Sequence, residues 1–170
     1  MDSGAGLTAI LISGLILATV IDCSESRIPN WLIVMLLVAG GAVHIFVGHI
    51  DGVLQASAGL VVGIACFLPF YIFGAMGAGD VKLLGTVGFL IGPYHVAVAA
   101  LMTLMVGGLI AIIYIVARGG LVPMLRRYRS MIMLLAAKQP RYIPPAANEA
   151  AGSRFPYALA IACGTALAVL

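Results

Sequence analysis

Apolar residues fall along this chain in long blocks, among them Leu32 to Val47, Val53 to Phe73 and Val96 to Ala117, parted by short stretches of Gly, Pro and charged residues. About 20 apolar residues in a helix cross a hydrocarbon core of ~30 Å, so blocks of this size predict membrane spans. Set against their breakers, they predict six transmembrane helices near residues 5–21, 31–48, 53–73, 80–92, 94–117 and 154–170. The fourth block is short, since a dozen helical residues rise only ~18 Å. The fold class expected is therefore all-α, a polytopic membrane protein forming one domain over residues 1–170, with a connector at 118–153.

Charge decides whether the short block is kept. If all six blocks cross, Arg27, Lys82, Arg118, Arg126, Arg127, Arg129, Lys138, Arg141 and Arg154 fall on or near one side, and Asp2 and Asp51 on the other. The positive-inside rule makes the basic side cytoplasmic, which puts both termini on the periplasmic side; the short block must then tilt little, thin the bilayer, or start in a protein-lined, water-accessible recess, which would place Asp80 in a cavity. Within the connector, Met124, Leu125, Tyr128, Ile132 and Leu135 recur at helical spacing beside four basic residues. That pattern predicts a cytoplasmic surface helix resting on anionic lipid, or else a plain solvated connector.

Composition agrees: 63% of residues are hydrophobic and 9% charged, where soluble domains have roughly 45–50% and about 25%. The apolar blocks are too many to be one cleaved signal sequence, and none is expected to be removed. A net charge of +3 in so apolar a chain reads as a bias of basic residues to one membrane face, and no nucleic-acid partner is implied. Cys23, Cys66 and Cys163 lie far apart with no CxxC pair, so neither a disulfide framework nor a zinc site is expected. His44, His49 and His95 read as helix-end or interfacial residues, and there is no HExxH, no GxSG and no phosphate loop.

Ionisable side chains at the ends of apolar helices are costly to desolvate, and this chain has few. Asp22 closes the first block in Ile21-Asp22-Cys23-Ser24-Glu25-Ser26-Arg27-Ile28-Pro29-Asn30, and Asp80 opens the fourth in Gly77-Ala78-Gly79-Asp80-Val81-Lys82. The expected topology brings both out on the cytoplasmic side at similar depth. Two carboxylates held about 3–5 Å apart cannot both ionise easily, which gives one site a base and an acid together. Gly74, Gly77 and Gly79 would let an extended substrate come close, or would simply form a flexible turn or packing surface. Around them, Pro29 is expected to end one helix, Asn30 to cap the next and Arg27 to anchor at the inner face. Lys82 could stabilise a carboxylate, attract an acidic group of a substrate, or snorkel to the interface. A small transporter or channel subunit whose ion path is lined by Asp22 and Asp80 is the competing expectation.

These two segments together resemble the type IV prepilin peptidases, within the GxGD intramembrane aspartyl proteases. The first signature is matched by Asp22 and Arg27-Ile28-Pro29-Asn30, and the second by Gly77, Gly79, Asp80, Lys82, Leu83, Gly85 and Gly88. A weaker third match is Pro156-Tyr157-Ala158 with Ala160-Ile161-Ala162. The resemblance implies an inner-membrane aspartyl endopeptidase with catalytic Asp22 and Asp80, and no metal or organic cofactor. Its implied substrate is a prepilin, whose short basic leader is cut at the cytoplasmic face after a small residue. Larger members carry an added CxxC-bearing domain and methylate the new N-terminus. The compact form here is similar to peptidases of tight-adherence (Flp) pili, which implies cleavage without methyl transfer.

Overall fold

The structure, a computed structural model, describes residues 3–25, 27–74, 76–117, 129–130, 133 and 157–169. Four helices are described over their whole length: α1 Ser3–Glu25, α2 Asn30–Ile72, α3 Ala78–Ala117 and α4 Tyr157–Val169. The expected surface helix at Met124–Lys138 lies outside the described residues apart from Arg129, Ser130 and Met133. The chain divides into two compact units, Met1–Gly107 with Pro156–Leu170, and Gly108–Phe155. Both aspartates belong to the first.

Along α1, Leu11, Leu15, Ala18 and Asp22 are buried, a spacing of four, three and four that puts them on one helical stripe. That stripe packs towards α2 and α4. Gly14 lies against the Leu36 side chain, whose Cγ would be 3.2 Å from a β-carbon at this position. Asp22 is thus set on the packed side of α1 by the same periodicity that buries its leucines.

α2 holds two apolar stretches, Asn30–Phe46 and Ile50–Ile72. A β-carbon on Gly52 would meet the His44 carbonyl oxygen at 3.2 Å, although eight residues of straight helix rise ~12 Å. The backbone therefore doubles back between them. α3 does the same at Gly92, whose φ of 83° is outside the helical range and is followed by Pro93; here a β-carbon on Gly88 would lie 3.1 Å from Val96 Cγ2. Proline has no N–H, so the Phe89 carbonyl loses its helical donor. His44 Nε2 lies 3.0 Å from that carbonyl and supplies the missing donor. A cavity of about 320 Å³ lined by His44, Gln55, Gly92 and Pro93 sits at this reversal, ~18 Å along α3 from Asp80.

The returning half of α2 and the first half of α3 meet through glycine. Gly59 touches Gly88, and Gly63 faces Leu84 and Gly85, an antiparallel pairing in which backbone rests on backbone. Small residues allow this approach, and in lipid it is packing rather than hydrophobic transfer that holds such helices together. Past the Gly92 break, Thr103 and Gly107 take α4 in the same manner, through Gly164 and through Tyr157 with Ala160 respectively. Phe67, Leu32, Leu83, Leu84 and Ile161 fill the interior, while Ile16, Val38, Phe46, Leu101 and Met105 are well exposed. An outside this apolar suits lipid.

Among the described residues, three stretches are long and apolar enough to cross a membrane: Gly6–Glu25, Ile50–Ile72 and Ala78–Ile113. Asn30–Phe46 and Tyr157–Val169 are shorter apolar helices. The all-helical expectation holds, but the count of six transmembrane helices is corrected. The blocks at 31–48 and 154–170 give described helices too short to count as spans, the second rising only ~20 Å over its 13 residues, while the blocks at 80–92 and 94–117 are the two arms of α3 on either side of the reversal at Gly92.

Candidate active site

Both aspartates sit at helix ends, and each is fixed by one backbone amide. Asp80 is the third residue of α3, and its Oδ2 accepts a hydrogen bond from Gly77 N at 3.0 Å while its own N–H donates to the Gly77 carbonyl at 3.2 Å. An acidic side chain at the third helical position reaching back to the capping amide is half of a capping box, so Asp80 also starts its helix. A β-carbon on Gly77 would stand 3.3 Å from the carboxylate oxygen. Glycine here keeps the approach to the carboxylate uncrowded, and Gly77 itself is exposed.

Asp22, three residues from the end of α1, accepts from Ala158 N at 3.1 Å. Its residue is 6% exposed and that of Asp80 9%, so both carboxylates are withdrawn from bulk solvent without being sealed. The amide that holds Asp22 follows Tyr157 directly, and Gly79, next to Asp80, packs on Ile28 of the turn that leaves α1, so the ends that carry the two aspartates lie together. Three helix ends, remote along the chain, thus share one polar neighbourhood.

The two sequence segments that contain the aspartates also touch each other. Gly79 is pressed against Ile28, where a β-carbon would fall 3.2 Å from Ile28 Cβ. Lys82 Nζ donates to Asn30 Oδ1 at 2.9 Å on the exposed side of the same junction. Lys82 is therefore tied to an amide side chain, not to a carboxylate. Asn30 is not a cap either: Pro29, with φ −71° and ψ 140°, takes the capping position without a side-chain bond, and Asn30 is the first helical residue. Arg27 is exposed on the connecting turn. Among the described residues, no three His, Cys, Asp or Glu side chains converge as metal ligands would.

Apolar helices long enough to cross a bilayer, with two carboxylates gathered where helix ends meet, define an integral membrane protein with a buried acidic site. Residues 9–116 match the model of the type IV leader peptidase family, and with more than half its length matched the chain belongs to that family. The matched stretch contains Asp22 and Asp80 and stops short of α4. Comparison with curated proteins and with solved structures gives no match. The third contributor, Tyr157–Ala158, carried a signal in the sequence only as the weaker match at Pro156-Tyr157-Ala158. The Ala158 contribution is a backbone amide, which no residue type announces.

Proposed function

We propose that the chain is an aspartyl endopeptidase that removes the leader of a prepilin, with Asp22 and Asp80 as its catalytic pair. The observation that carries this reading is the convergence of the two aspartates, 58 positions apart in sequence, in a chain of the type IV leader peptidase family. The ionised carboxylate takes a proton from a water molecule as that water attacks the scissile carbonyl carbon; the protonated one donates to the carbonyl oxygen. Collapse of the tetrahedral intermediate returns a proton to the leaving amine, with no covalent enzyme intermediate and no metal or organic cofactor. The two groups titrate as a pair, so acid and base are roles of the pair.

Cleavage takes place at the cytoplasmic face of the inner membrane, where the exposed turn at Gly77 admits an unwound peptide to Asp80. The basic residues of that face suit anionic lipid better than a basic leader, so recognition rests on the extended junction and on the apolar helix of the pilin. Exposed Lys82 or Arg27 pairs with an acidic residue beyond the cut. On the resemblance of its two aspartate segments, the reading is of a Flp-type peptidase that does not methylate its product.

The test is co-expression with a candidate prepilin, following leader removal by gel shift. Asp22→Asn and Asp80→Asn should each slow processing by about 10²–10⁴-fold while the protein stays in the membrane. Full processing by either variant would refute the pair, and ion flux without cleavage would favour a transport role.

A further inference from the structure

Asp22 and Asp80 stand in opposite fields of their own helices. Asp80 is in the first turn of α3, where unpaired amides leave a partial positive charge; Asp22 is near the last residue of α1, where unpaired carbonyls leave a negative one. Asp80 is served locally, by the amide of Gly77. Asp22 receives its bond from Ala158, 136 positions away and second in α4. An amide in the first turn of a helix has no acceptor within that helix, so this donor is free to serve the carboxylate. Ala158 is wholly buried, and α4 is held in place by the close fits of Gly164 on Thr103 and of Tyr157 and Ala160 on Gly107.

We infer that the Ala158 amide is a positioning group of the active site, and that α4, outside the stretch matched to the family, is a working part of it. This rests on the peptidase reading above. The amide fixes Oδ2 of Asp22 and offsets the unfavourable end of α1, leaving the second oxygen to exchange protons with water. A charge-assisted bond from a rigid backbone donor holds the carboxylate's direction better than a mobile side chain could.

Replacing the peptide bond between Tyr157 and Ala158 by an ester, through lactic acid at position 158, deletes this donor with almost no change of shape. The kcat for leader removal should fall about 10- to 100-fold, as expected for losing one hydrogen bond to a charged group, with KM within about twofold of the unaltered protein. The isotope-edited infrared band of the Asp22 carboxyl group, assigned by its loss in Asp22→Asn, should shift in the ester variant. A kcat within twofold of the unaltered protein overturns the inference whether or not the band moves. Lost activity with an unmoved band also overturns it, because the amide would then be acting elsewhere. If the unaltered chain removes no leader, the peptidase reading fails by itself, and an unmoved band in the ester variant still refutes the Ala158 contact.

Discussion

Gly59→Ala adds a single methyl group where α2 and α3 touch. The new carbon would lie 2.7 Å from the Gly88 carbonyl carbon and 3.0 Å from that of Gly92, where ordinary contacts begin at 3.4 Å. The Gly88 carbonyl oxygen lies nearer still, so the helices must part by at least about 0.7 Å, and the obstacle is backbone, which cannot rotate aside as a side chain can. Overpacking of this kind costs about 1–3 kcal/mol. For a chain of this size each kcal/mol moves Tm by about 2–4 °C, so Gly59→Ala should melt about 2–12 °C below the unaltered protein. Melting in detergent can be followed by thiol labelling of partly buried Cys66, which reports opening of the same helix. Gly108→Ala is the control. Nothing lies within 4 Å of its β-carbon position, and gaining a better helix former there should leave Tm unchanged or slightly raised. Equal melting of Gly59→Ala and the unaltered protein would refute backbone contact at this crossing.

Removing the His44 donor in His44→Leu should strand the Phe89 carbonyl released by Pro93 and cost about 1–3 kcal/mol, while His44→Gln, which keeps an N–H donor, should recover part of the loss; equal melting of the two variants would show that the bond does not matter. Thr165 has a buried hydroxyl with no partner among the described residues. Thr165→Val, similar in shape and apolar, should therefore raise stability by about 1 kcal/mol, and a fall in Tm would mean that the hydroxyl is bonded after all.

Much of this was legible in the chain. The apolar blocks locate the helices, the split between the blocks at 80–92 and 94–117 falls at the reversal in α3, and both aspartates fall at helix ends as their flanking residues imply. Other features were not legible, each for a physical reason. α1 runs through Asp22 to Glu25, because a boundary carboxylate that finds an amide partner need not end a helix. Asn30 has the composition of a cap, yet the φ and ψ of Pro29 give the capping position to the proline and free the Asn30 amide for Lys82. His44 reads as a helix-end residue, but its bond to the Phe89 carbonyl depends on a partner 45 positions away. The Ala158 amide belongs to the backbone, so only three-dimensional placement reveals it.

The glycine crossing also limits traffic. An α-helix with its side chains is ~10 Å across, and neither a pilin segment nor a lipid tail can slip through a wall whose two main chains already rest on each other. That flank acts as a bulkhead. On the proposed peptidase reading, a polypeptide bound for Asp80 would have to arrive over the rim at Gly77 or along another side of the bundle, so a variant that loosens Gly59 and Gly88 would breach the wall without widening the doorway.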